Sequence, residues 1–306
     1  MEPNQVSKTA MGTAFMRAYH AAHDHPKIFD DFLAQHLITA EELQIIEARH
    51  LAAFQRFDPA GAASCPDRVS ALAGWMQSNC APALVFSRAR YTEDILETAV
   101  RQQEVKQYVI LGAGMDTFAV RRPDLVKQLQ VFEVDHPATQ AHKRGRLREV
   151  GREHPSQLHF IPVDFSRENL ATALGGSAYD PQASSFFSWL GVTYYLTREA
   201  VFATLRGISG VAPPGSTVVF DYLDSEAFIP ERAARRVQFM MQLVERVGEP
   251  MLTGFDPASL AADLACLGLR LQENLNPSDI EARFFAGRTD GYHACEHAHL
   301  ARATVA

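Results

Sequence analysis

The chain has 306 residues, 47% of them hydrophobic and 21% charged, with a formal net charge of -7. That length buries a full core as one large α/β domain or as a domain with an appended subdomain, and a pI near 5.9 offers no basic footprint for nucleic acid. The amino terminus lacks a basic region followed by an unbroken apolar run, and no run of about 18 apolar residues occurs, so a cytoplasmic protein without a membrane partner is expected. Cys65, Cys80, Cys266 and Cys295 are widely scattered. Neither a disulfide framework nor a CxxC zinc site is signalled, and reduced packing thiols are expected.

In chain order, the first hundred residues read as helical. Thr39-x-x-Glu42 ahead of LQIIEARHLAAF has the form of a capping box. Loop chemistry at 58–66 separates it from a second helical stretch, Arg68 to Gln102, which leads to the first strand, YVILG from Tyr108. Strands QVFEVD (130–135), LHFIPVD (158–164), SSFFSWL (184–190) and STVVFDYL (216–223) follow. Helices after Pro137, around Arg167 to Leu174 and from Arg198 to Ile208 separate them. Short apolar runs alternating with helices of about a dozen residues predict βαβ units and a mostly parallel sheet.

Beyond Tyr222 the rhythm changes. A charged, helical-looking insertion, ERAARRVQFMMQLVERV, lies within 225–250; a helix from Asp256 to Cys266, LRLQENL at 269–275 and a last strand near Tyr292 to Val305 follow. An insertion after a late strand sits over the carboxyl ends of the sheet, where ligands of open α/β sheets bind, so it is either a lid or a packing helix. HACEHAH places His293, Cys295, His297 and His299 at period two, the pattern of one strand face. No completing carboxylate spacing accompanies them, and no metal is expected.

Gly112, Ala113 and Gly114 end the first strand in a Gly-x-Gly turn that lets backbone approach a ligand closely. A dinucleotide fingerprint would place its third glycine at 117, where this chain has Thr117, and Asp116 sets a carboxylate where phosphate oxygens would lie. A cofactor with an adenosine but no phosphate, S-adenosylmethionine, escapes that repulsion. Asp135 ends the second strand 23 positions after Gly112, where an acidic residue takes ribose hydroxyls, and Glu133 shares its strand parity and could share the role. Asp135 could instead cap the helix beginning at Pro137. Asp164, ending the third strand, could accept from an adenine amino group with Phe165 packed beside the ring, or cap a helix from Ser166.

These pieces resemble the leucine carboxyl methyltransferase family of class I S-adenosylmethionine-dependent methyltransferases, including its bacterial small-molecule members. The matching segments are GAGMDT (112–117) with nearby Arg121, FEVDHP (132–137), PVDF (162–165), GVTYYLT (191–197) and FAGRTDG (285–291). SKTAMGTAFMRAYH and RARYTED near the amino terminus extend the resemblance over nearly the whole chain. The resemblance implies a Rossmann-like fold: a seven-stranded, mostly parallel sheet of order 3-2-1-4-5-7-6 with the last strand antiparallel and helices on both faces. It also implies a helical cap at 1–104, a methyltransferase domain at 105–306 and a lid at about 225–255. Arg88, or alternatively Arg90, would hold the cofactor's methionine carboxylate through two parallel hydrogen bonds. Gly112 would contact its amino acid portion, Asp135 the ribose, and Asp164 with Phe165 the adenine. Members that methylate a protein carboxyl terminus carry glutamate where this chain has Leu190, so a different acceptor is implied.

Methyl transfer from a sulfonium requires alignment and exclusion of water. A carboxylate acceptor of a small molecule is already ionised near neutral pH, whereas a hydroxyl needs a base; Tyr194 and Tyr195 are the candidates for that base or for positioning substrate. Two rivals share the turn: a nicotinamide-dependent oxidoreductase, and an inactive member of the fold that serves as a binding protein.

Overall fold

A computed structural model describes residues 6–102, 104–164 and 168–306. The helices α1 (Lys8–His23), α2 (Ala40–Phe57), α3 (Pro59–Ser64), α4 (Arg68–Ser78) and α5 (Cys80–Arg101) precede the sheet. The Thr39 side chain accepts from Glu42 N–H at the start of α2 while Glu42 reaches back to Thr39 N–H, which completes the expected capping box. The single helix expected over 68–102 is two. Pro82 has no N–H to give to an uninterrupted helix, and Asn79 stops α4 and caps α5 by accepting from Ala81 N–H.

The sheet comprises β1 (Gln107–Leu111), β2 (Gln130–Asp135), β3 (Leu158–Pro162), β4 (Ser185–Trp189), β5 (Thr217–Leu223), β6 (Leu269–Leu275) and β7 (Ala298–Val305), in the order β3-β2-β1-β4-β5-β7-β6. β3, β2, β1, β4 and β5 run parallel, and β7 is antiparallel to both β5 and β6. Between the strands lie α6 (Phe118–Arg121), α7 (Pro123–Val126), α8 (Pro137–Glu149), α9 (Leu170–Gly175), α10 (Arg198–Val211), α11 (Arg235–Arg246), α12 (Leu260–Ala265) and α13 (Pro277–Ile280). α9 starts later than expected because Asn169 caps it, accepting from Ala171 N–H at 2.7 Å. The predicted strand near 292–305 begins only at Ala298, because His297 takes a positive φ of 67° and residues 292–297 pass as a loop.

Both faces of the sheet are covered, which is why the parallel strands read as continuous apolar runs. Tyr108 and Ile110 of β1 join Phe186 on one face, and Val109 and Leu111 join Phe132 and Trp189 on the other. The first face shares its core with the amino-terminal helices: Met11 and Phe15 of α1, Phe86 of α5 and Met240 of α11 belong to the same contiguous cluster. A smaller cluster of Phe54 and Trp75 meets Phe239 of α11. The amino-terminal helices and the insertion after β5 therefore form one layer above the carboxyl ends of β1, β2 and β4.

Candidate active site

A cavity of about 560 Å³ opens at those strand ends. Its floor is the turn after β1. Gly112 has φ 68°, and a Cβ there would collide with the Val192 side chain, so only glycine fits. Gly114 N–H donates to the Asp135 carboxylate, which also accepts from His136 N–H at 2.6 Å. Asp135 is not the cap of α8. His136 is, with Nδ1 accepting from Ala138 N–H at 3.3 Å. Burial raises the Asp135 pKa against the pull of those two backbone N–H groups, leaving a carboxylate held rigidly at the cavity wall.

Glu133, expected to share the ribose role, does not reach the cavity. Its carboxylate is buried under α8 beside Lys143 at 2.6 Å, and burial pushes it up to about 7 although Lys143 opposes. Parity placed it on the correct side of β2, but Lys143 closes that side. Ala113, Asp116, Asp164 and Leu190 do line the cavity. Asp116 accepts from Phe118 N–H at 2.7 Å, fixing the start of α6. Phe165 lies outside the described residues.

Arg88 and Arg90 separate cleanly. Arg90 is 51% exposed on the outer side of α5 and pairs with Asp94, whereas Arg88 is buried and lines the cavity. One Nη of Arg88 donates to Asp221 at 2.9 Å and to the Tyr194 hydroxyl at 2.8 Å. Asp221 also accepts from Gly191 N–H at 2.6 Å. Gly191 has φ 73°, and a Cβ on it would come within 2.9 Å of the Arg88 Cζ, so the turn after β4 is shaped around this guanidinium. Sequence reading missed Asp221, although a lone carboxylate inside the apolar run TVVFDYL was the signal.

Tyr194 and Tyr195 both reach the cavity, but burial raises both phenols far above their ordinary value. The Arg88 cation opposes this without reversing it. They stay protonated near neutral pH, and at the cavity wall they are placed to hydrogen-bond or position a bound molecule.

Two further groups were missed. Arg17 of α1 pairs with Asp31 at 2.8 Å and donates to Met115 C=O at 2.6 Å, tying the helical layer to the glycine turn. Burial would raise the Asp31 pKa, but Arg17 and Arg121 together with Thr117 O–H hold it below the usual range. Glu249, after α11, accepts from Lys8 N–H at 2.9 Å and Ser7 O–H at 3.1 Å and from Thr9, so the insertion meets the start of α1 across the cavity mouth. The HACEHAH residues disperse: His293 is exposed beside Glu281, Cys295 is buried, His297 donates to Asp224 at 2.9 Å, and His299 stacks on Tyr222. Among the described residues no group of histidines, cysteines and carboxylates could hold a metal.

Charge decides what the cavity fits. Six carboxylates line it (Asp31, Glu93, Asp116, Asp135, Asp164 and Glu249) against three arginines. Each arginine is already paired: Arg17 with Asp31, Arg88 with Asp221, Arg121 with Glu93. A pyrophosphate would be repelled here, whereas an adenosine carrying a cationic sulfur and an ammonium is matched.

Residues 10–209 match the family described as Leucine carboxyl methyltransferase. YktD of Bacillus subtilis (strain 168), named by inference as an S-adenosyl-L-methionine-dependent methyltransferase, is 37% identical over 99% of both chains. A Mycobacterium tuberculosis (strain ATCC 25618 / H37Rv) protein, Rv1896c, named the same way, is 30% identical over 72% of this chain and 66% of its own. Among solved structures, a DUF574 family protein from Streptomyces avermitilis superposes with TM-score 0.60 over 99% of both chains at 11% identity, a likeness of fold. No helix among the described residues is long and apolar enough to cross a membrane.

Proposed function

The chain belongs to the leucine carboxyl methyltransferase family and is an S-adenosylmethionine-dependent methyltransferase of class I fold, and from that premise we propose that it methylates a carboxylate oxygen of a small molecule. The oxidoreductase and inactive-fold alternatives are set aside by the family membership. Bound S-adenosylmethionine supplies an electrophilic methyl group on a positively charged sulfur. Asp135 would accept from its ribose hydroxyls, Asp164 from its adenine amino group, and the turn at Gly112 to Gly114 would admit its amino acid portion. Arg88 would face the methionine carboxylate with the guanidinium N–H groups that Asp221 and Tyr194 leave available. The helices α1 to α5 and the insertion at about 225–255 act as cap and lid, excluding water through the contact of Glu249 with α1.

The observation that carries the carboxylate is that no free base stands on the acceptor side among the described residues: His50 lines the neighbouring cavity, but its Nδ1 lone pair already accepts from Trp75 Nε1–H. The cofactor cavity meets a second cavity along a wall of Thr9, Thr13, Val85, Arg88, Tyr194 and Tyr195. Its two titratable phenols are held protonated. An acceptor that arrives already ionised needs no proton removed, and a carboxylate meets that condition from about pH 5 upward. Small carboxylic acids and matched phenols, each offered with methyl-labelled cofactor between pH 5 and 10, separate the readings. Base-labile methyl esters formed at a rate flat above about pH 6 are expected. Turnover confined to phenols and rising toward pH 10 would replace the carboxylate with a hydroxyl.

A further inference from the structure

Behind that shared wall lies a cavity of about 190 Å³ lined by α1, α2, α5 and α11. Met16, Ile46, Leu84, Met240, Leu243 and Met251 furnish its apolar surface. Its charge is the reverse of its neighbour's: no carboxylate stands among its described lining residues, while exposed Lys8 and Arg49 border it and Arg88 closes its inner end. Gly12 also lines it, in the interior of the 16-residue helix α1. Glycine weakens a helix there, and a Cβ at this position would meet no heavy atom within 4 Å, so the residue leaves open space and relieves no crowding.

Resting on the methyltransferase reading, we propose that the acceptor is an amphiphilic carboxylic acid, its carboxylate at the Arg88–Tyr195 wall and its apolar body in this second cavity. The opposed polarity of the two cavities sorts the reactants: the cationic donor belongs among the carboxylates, and the anionic acceptor in the cavity that no carboxylate lines, with Lys8 and Arg49 at its border and the N–H groups of the paired Arg88 at its inner end. Methionine walls adapt to chains of differing shape. In the transfer, an acceptor oxygen forms the new carbon–oxygen bond as the methyl–sulfur bond breaks with its electron pair staying on sulfur. An ester and a neutral thioether result, and no proton moves.

Calorimetric titration of hexanoate, octanoate, decanoate and dodecanoate, below micelle formation, into protein saturated with S-adenosylhomocysteine tests the assignment. Affinity should rise about fourfold per methylene until the cavity is filled and then level off. Gly12→Leu, which places a side chain in the open space and favours the helix, should abolish that length dependence while S-adenosylhomocysteine binds as before. A flat wild-type series, a length dependence that survives in Gly12→Leu, or alkanols binding as tightly as the matching alkanoates would each overturn the proposal. Failure to bind S-adenosylhomocysteine would instead sink the functional reading, and the same alkanoate series on the protein alone would still decide the cavity.

Discussion

Glu249, after α11, accepts a hydrogen bond from the backbone N–H of Thr9 at 3.3 Å and one from the Thr9 hydroxyl, so the insertion and the first helix meet across the mouth of the cavity at the strand ends. An anion at the first turn of a helix gains from the exposed N–H groups and the helix dipole. Glu249→Ala should speed amide hydrogen exchange at residues 8–10 and weaken S-adenosylhomocysteine binding by roughly tenfold, an amount set by the loss of about 1–1.5 kcal/mol of hydrogen bonding. Unchanged exchange at those amides would show that the contact does not hold the mouth closed.

Asp135→Asn keeps the shape of the side chain while removing its charge. A hydrogen bond to a charged group contributes about 1.5–3 kcal/mol, so the dissociation constant for S-adenosylhomocysteine should rise roughly 10- to 150-fold, and the melting temperature should fall too, because the amide NH2 then faces one of the two backbone N–H groups that Asp135 accepts from. Equal affinity in a folded variant would take Asp135 out of the cofactor site.

The Arg88–Asp221 pair is buried on both sides. Asp221→Ala leaves a guanidinium unpaired in the interior and should cost about 3–5 kcal/mol of stability in urea unfolding. Replacing both partners, as Arg88→Met with Asp221→Leu, should recover much of that loss but not cofactor binding. A single variant less than about 1 kcal/mol destabilised would mean the pair is far better solvated than its burial implies.

Burial pushes the His50 ring down to about 4, with Trp75 Nε1–H donating to its Nδ1. The unfolded ring binds a proton near pH 6.5 while the folded one resists, so this contribution is complete above about 6.5 and is lost as pH falls toward 4. The ring keeps some solvent exposure, which trims the effect to about 1–2 kcal/mol. His50→Gln should flatten the stability profile relative to the parent across that window. Identical slopes for the two proteins would refute the assignment.

The sheet was legible because its strands are buried on both faces and therefore appear as short apolar runs between helices, and its order, taken from the family resemblance, matches. That the glycine turn, Asp135 and Asp164 would line one crevice was legible too, since each sits at a strand end and strand ends converge there. What stayed hidden depends on contacts between distant segments. Nothing near Glu133 in sequence announces that Lys143 will claim it, and nothing near Glu249 announces Ser7, Lys8 and Thr9. The break at Asn79 was written locally in Asn-Cys-Ala-Pro, whose proline marks a helix start as readily as a helix interior excludes it.

The continuity of one hydrophobic cluster from Met11 and Phe86 to Tyr108 and Phe186 has a bearing on how such a protein can diversify. Exchanging the whole helical layer between relatives would set two unmatched halves of that core against each other and should destabilise the recipient. New acceptors must then be acquired one side chain at a time, and positions such as Gly12, where added bulk meets no neighbour, are where that drift is least punished.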